Sequence, residues 1–128
     1  MNESTVEDLL ELNQRLLNSI AVGDWAVYAK LCDTTLTAFE PEALGQLVEG
    51  LDFHAYYFKL PKSPNPPNVT MASPNVRFMG DVAVVAYTRL NQKLNADGRP
   101  ETESVNETRV WQRQKGLWKH VHFHRSKA

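Results

Sequence analysis

From Val76 onward the sequence reads as four strands, over residues 76–79, 82–94, 101–114 and 117–125, joined by short glycine-bearing turns. Long strands linked by such short turns have only one arrangement open to them, an antiparallel meander. Its apolar face has to be covered from elsewhere in the chain. The cover is available upstream. Ser4, Thr5, Val6 and Glu7 form a capping-box pattern that predicts a helix start, with the Ser4 hydroxyl and the Glu7 carboxylate as the reciprocal pair. Apolar residues then recur at Leu9, Leu12, Leu16 and Ile20 with helical spacing. Gly23 suits a left-handed helix terminus, and Asp24 can cap a second short helix through Trp25, Tyr28 and Leu31.

Between the helices and the meander, residues 34–39 read as a strand ended by Pro41, and residues 51–60 as a ring-rich helix. Residues 61–74 hold five of the seven prolines, which predicts an irregular loop with one short extended piece at 69–71. Helices first and strands last give an α+β fold in one domain, residues 1–128, with helices packed on one face of a curved antiparallel sheet.

Arg89, Arg109 and Arg125 each sit on a different long strand, so the turn lengths decide whether they meet. Two-residue loops at Asp97-Gly98 and Lys115-Gly116 would point Arg109 away from the other two. Three-residue loops, Ala96-Asp97-Gly98 and Gln114-Lys115-Gly116, would set Arg89 opposite Val105 and Arg109 opposite Val85 and Val121. All three arginines would then share a face with Val85, Tyr87, Trp111, Val121 and Phe123, leaving His120, His122 and His124 on the opposite face. The apolar pattern favours this second register.

Guanidinium groups gathered in this way repel, by about 3 kcal/mol for a pair ~6 Å apart at an effective dielectric of ~20. Glu107 falls on the same face and is their internal partner. One carboxylate does not neutralise three cations, so a carboxylate ligand or a neighbouring chain is the expected complement. The other reading at this point is that curvature splays the three apart, each onto water or its own surface partner.

Fourteen basic against fifteen acidic side chains leave a net charge of -1, which argues against nucleic acid and membrane surfaces as partners. Cys32 is the only cysteine, and residues 1–8 lack the basic-then-apolar pattern of a secretory leader, so a cytoplasmic location is expected. The histidine spacing matches no zinc pattern, and no cofactor motif is present. Glu40-Pro41-Glu42 reads as a solvated or interface turn, Cys32 as packing, and Trp25, Trp111 and Trp118 as core or interface anchors.

The segment Thr37-Ala38-Phe39-Glu40-Pro41-Glu42-Ala43-Leu44-Gly45, continuing through Val48-Glu49-Gly50-Leu51-Asp52-Phe53-His54, closely resembles the association domain of Ca²⁺/calmodulin-dependent protein kinase II. So do Phe78-Met79-Gly80-Asp81, Glu107-Thr108-Arg109-Val110-Trp111 and Val121-His122-Phe123-His124-Arg125-Ser126. The likeness runs from roughly Val6 to Ser126. It implies a cone-like fold of the nuclear transport factor 2-like type, with the curved sheet wrapped around the long N-terminal helix. It also implies a non-catalytic oligomerisation hub that forms a ring-like homo-oligomer of twelve or more subunits, with a tethered or associated kinase. The positions matching Arg89, Arg109 and Arg125 line a pocket for small carboxylates similar to γ-hydroxybutyrate, helped by the one matching His54, with Tyr57 nearby. Animal members carry a tryptophan in the loop after the ring-rich helix, where this chain has Phe58-Lys59-Leu60-Pro61-Lys62-Ser63-Pro64.

The same cone fold hosts isomerases and dehydratases, for which His54, Tyr57 and Glu107 would be the acid–base candidates. The arginines would hold Glu107 ionised, making it a poor proton acceptor. Binding of a carboxylate suits that environment better.

Overall fold

A computed structural model describes residues 3–128. Helix α1 (Val6–Val22) and the short α2 (Trp25–Leu31) lead into strand β1 (Cys32–Phe39). A 3-10 turn (Pro41–Ala43), a two-residue strand β2 (Val48–Glu49) and helix α3 (Asp52–Phe58) follow. The meander is β3 (Asn68–Met79), β4 (Val82–Leu94), β5 (Pro100–Gln114) and β6 (Leu117–Lys127). All six strands form one sheet in the order β2-β1-β6-β5-β4-β3. Only the β1–β6 pair is parallel.

The capping box of α1 is real but one residue later than the sequence reading put it. Thr5 Oγ1 accepts from the Asp8 amide at 3.2 Å, and Asp8 Oδ2 accepts from the Thr5 amide at 2.9 Å. Ser4 is unavailable for the role because its hydroxyl accepts from Trp118 Nε1 at 2.7 Å. The helix buries Leu9, Leu16 and Leu17 against the sheet, each contributing roughly 1.5–3 kcal/mol on leaving water. Asn13 interrupts this stripe and is fully buried. Its Oδ1 accepts from Trp111 Nε1 at 3.0 Å, so neither polar group enters the core unpaired.

Gly23 ends α1 with φ 72°, and Asp24 Oδ1 accepts from the Val27 amide to start α2, both as expected. A Cβ on Gly23 would also lie 3.1 Å from the Lys62 side chain. Gly23→Ala is therefore expected to lower stability by about 1–2 kcal/mol, read as a shift in the denaturant midpoint.

The proline-rich stretch is less irregular than expected, because β3 runs unbroken from Asn68 to Met79. Pro74 is tolerated since β3 is an edge strand and the register slips between Ala72 and Asn75, with Ser73 at φ 50°.

The β4–β5 hairpin has the favoured register, with Arg89 opposite Val105 and Val85 opposite Arg109. The β5–β6 hairpin does not use the expected three-residue loop. Gln114 pairs with Leu117 across a two-residue turn, Lys115-Gly116, in which both residues have positive φ. Taken alone that turn would point Arg109 away from Arg125. A β-bulge at Val121 on β6, which opposes His120 to Trp111 and His122 to Val110, flips the facing back. Arg109 thus lies opposite Phe123, not Val121, and the arginines share a face by a different route. The same bulge breaks the histidine row. His120 turns inward and is fully buried beside Trp111, whereas His122 and His124 pack against Phe39. Val121, the extra residue, is half-buried and outside the core cluster.

Candidate functional site

Pairing across three adjacent strands builds the site. Glu107 on β5 lies opposite Tyr87 on β4 and Arg125 on β6, Arg89 is two residues beyond Tyr87, and Arg109 is two residues beyond Glu107. One carboxylate is thereby surrounded. Glu107 Oε2 meets Arg89 Nη1 and Arg109 Nη2 at 3.0 Å each, with Arg125 Nη1 at 3.9 Å. Its Oε1 accepts from the Tyr87 hydroxyl at 2.6 Å and from Arg109 Nε at 3.3 Å. Burial works to raise the Glu107 carboxyl, but Arg109 and Arg89 outweigh it and hold its pKa below the usual carboxylate range.

Arg109 is fully buried, and each of its three nitrogens has a protein partner. Nε donates to the Tyr87 hydroxyl at 3.0 Å, Nη2 to Glu107, and Nη1 to His120 Nε2 at 3.3 Å, while its Cζ lies 4.3 Å from the centre of the Phe123 ring. A guanidinium only donates, so His120 Nε2 accepts and the imidazole proton sits on Nδ1, facing Cys32 Sγ at 3.4 Å. Burial and Arg109 push the His120 pKa well below its ordinary value, keeping it neutral. Burial raises the Cys32 thiol to about 12, which makes it an inert packing group, as its sequence context suggested.

The sequence reading missed two members. Glu40 is buried, with Oε2 2.5 Å from His54 Nε2 and Oε1 3.5 Å from Arg125 Nη2. Glu42 also pairs with Arg125 Nη2. The three guanidinium groups thus face three carboxylates, not one. The parallel β1–β6 pairing brings this about: Phe39 pairs with His124, so the chain carries Glu40 past Arg125 at the next step. A contact between segments this far apart in sequence leaves no local signal, and Glu40-Pro41-Glu42 read as a solvated or interface turn.

These groups border a cavity of about 510 Å³. Arg89, Arg125 and His54 line it with Tyr57 at a half-exposed position, and Tyr28, Phe58 and Phe123 give it apolar walls. Arg109, though fully buried, also borders it, and Glu107 is buried next to this lining without belonging to it. Among the described residues, two buried side-chain atoms have no hydrogen-bond partner, His54 Nδ1 and Arg89 Nε, and both belong to this lining. No cluster of metal-ligating side chains occurs among the described residues, and no helix there is long and apolar enough to cross a membrane.

Residues 5–128 match the family model for the calcium/calmodulin-dependent protein kinase II association domain. The chain is 47% identical over 123 residues to the delta subunit of calcium/calmodulin-dependent protein kinase type II from Oryctolagus cuniculus, covering 94% of this chain and 23% of that protein. It therefore spans about a quarter of that relative's length. Among solved structures it is 53% identical to the hub homology domain of this kinase from Chlamydomonas reinhardtii, with a TM-score of 0.89 over 98% of this chain and 99% of the other. A nuclear transport factor 2-like protein from Salmonella enterica shares the fold at 20% identity, with a TM-score of 0.75 over 94% and 89% of the two chains.

Proposed function

Because this chain belongs to the calcium/calmodulin-dependent protein kinase II association-domain family, we propose that its 128 residues work as one self-assembling hub, a ring-like homo-oligomer of twelve or more subunits. The observation that carries the reading is Leu44. It is 88% exposed and held at φ 54°, a left-handed conformation that costs a leucine roughly 1–2 kcal/mol. Leu47 and Phe39, on either side of the same connection, are also exposed. A strained turn that presents apolar side chains to water makes physical sense as a surface covered by another copy. A kinase, tethered or associated, is the partner such a hub would display, and the lone buried Cys32 fits a reducing cytoplasm.

Native mass spectrometry at low micromolar concentration tests the hub. A mass of twelve or more subunits is expected, and Leu44→Glu should shift the population to small species. A wild-type monomer or dimer refutes the reading.

The cavity is proposed to take a small carboxylate or the acidic side chain of a peptide. Arg89 Nε is a buried donor in want of an acceptor, and Arg125, which approaches the same Glu107 oxygen, lines the same cavity. His54 donates through Nε2 to Glu40, which leaves its buried Nδ1 without a protein partner and open to a polar group of a ligand. Arg109, each of whose nitrogens has a protein partner, positions Glu107 and through it the two outer arginines. An isomerase or dehydratase of the same fold would need a carboxylate that takes up a proton near neutral pH. Glu107, held ionised by Arg109 and Arg89, is unsuited to it.

A further inference from the structure

We propose that Glu42 is a tethered occupant of the carboxylate subsite, competing with any external ligand for Arg125. The inference rests on the carboxylate-pocket reading given above. Two acidic side chains reach Arg125 Nη2 from the turn after β1, and they differ in kind. Glu40 has a side chain only 4% exposed and is committed to His54, which makes it part of the wall. Glu42 has a side chain 42% exposed and enters from the surface, and only its Oε1 has a protein partner among the described residues. It sits on a three-residue 3-10 turn whose first end carries no side-chain cap, and rotation of its half-exposed side chain alone would take it off Arg125 while the backbone of the turn stays in place.

The same functional group, a carboxylate, therefore already fills the place an external carboxylate would take on Arg125. Glu42 does so incompletely. It pairs with Arg125 but makes no contact with Arg89, whose buried Nε stays without an acceptor in the same cavity. A free carboxylate seated between the two arginines would satisfy both, and so can displace a group that satisfies one. Until it does, the tether keeps Glu42 at an effective concentration that weakens every external carboxylate.

The test is ligand-observed NMR on the intact assembly with phenylacetate, whose ring suits the Tyr28, Phe58 and Phe123 walls, and with 2-phenylethanol as the uncharged control. Glu42→Gln and Glu42→Ala are expected to bind phenylacetate about fivefold more tightly than wild type, as removal of a half-exposed competing pair predicts. Glu7→Gln, an exposed acid on α1, should leave affinity unchanged, and Arg125→Gln should lose binding. Phenylacetate that binds wild type and both Glu42 variants equally overturns the inference while the pocket reading stands. Absence of binding to wild type and to both Glu42 variants removes the pocket reading, and this inference with it. Binding to the Glu42 variants alone supports both.

Discussion

Replacing Glu107 with Ala lowers the stability of the folded chain by about 3–5 kcal/mol, the cost of stranding a buried charge whose partner has gone. The stranded charge is Arg109. It is fully buried, and Glu107 is its only anionic partner among the described residues. Burial works against its charged state, but Glu107 foremost, with Tyr87 and Tyr28, holds its pKa above the ordinary value. Without Glu107 the buried guanidinium has no compensating charge among the described residues, and the Tyr87 hydroxyl loses its acceptor as well. Urea denaturation at fixed protein concentration reads the loss. The double variant Glu107→Leu with Arg109→Met should recover part of it, because two apolar side chains of similar volume replace the fully buried pair, while Arg89 at the cavity wall still lacks its carboxylate. A Glu107→Ala variant as stable as wild type would mean that the carboxylate does not organise the arginines.

The second large effect is acid destabilisation centred on His120. Its folded pKa lies well below its unfolded value of about 6.5, through burial first and then Arg109, with His54 and His122 adding to the same direction. The unfolded chain therefore takes up a proton that the folded chain refuses. The stabilising contribution is complete above pH ~6.5 and is lost as pH falls toward the folded pKa, at about 1.4 kcal/mol per pH unit. Between pH 6.5 and 5 this amounts to roughly 2 kcal/mol, a window in which the Glu107 contribution is still intact because its depressed pKa lies lower. His120→Asn should flatten the dependence across that window in denaturation measured at matched subunit concentration. An unchanged slope would assign the acid sensitivity to other groups.

Much of the architecture was legible because it is written in local patterns. The period of α1, its Gly23 terminus, the Asp24 cap and the strand runs at 82–94 and 101–114 each follow from a handful of neighbouring residues. The errors also have local causes. Ser4 and Thr5 both begin acceptable capping boxes, and only the bond from Trp118, far along the chain, leaves the task to Thr5. The prolines before β3 suggested a loop, but an edge strand with a bulge accommodates Pro74.

The candidate site divides along the same line. By itself the sequence determined that Arg89, Glu107, Arg109 and Arg125 lie on neighbouring strands, since strand period and short turns are properties of adjacent residues. Only the tertiary structure decided which way they face. A two-residue turn and a bulge opposite one another in effect cannot be told from a three-residue turn, because both give the same parity. Only it, too, brought Glu40 and Glu42 to the arginines. That step depends on β1 lying parallel to β6, a pairing between the two ends of the chain that packing of the whole sheet and helix selects and no short segment encodes.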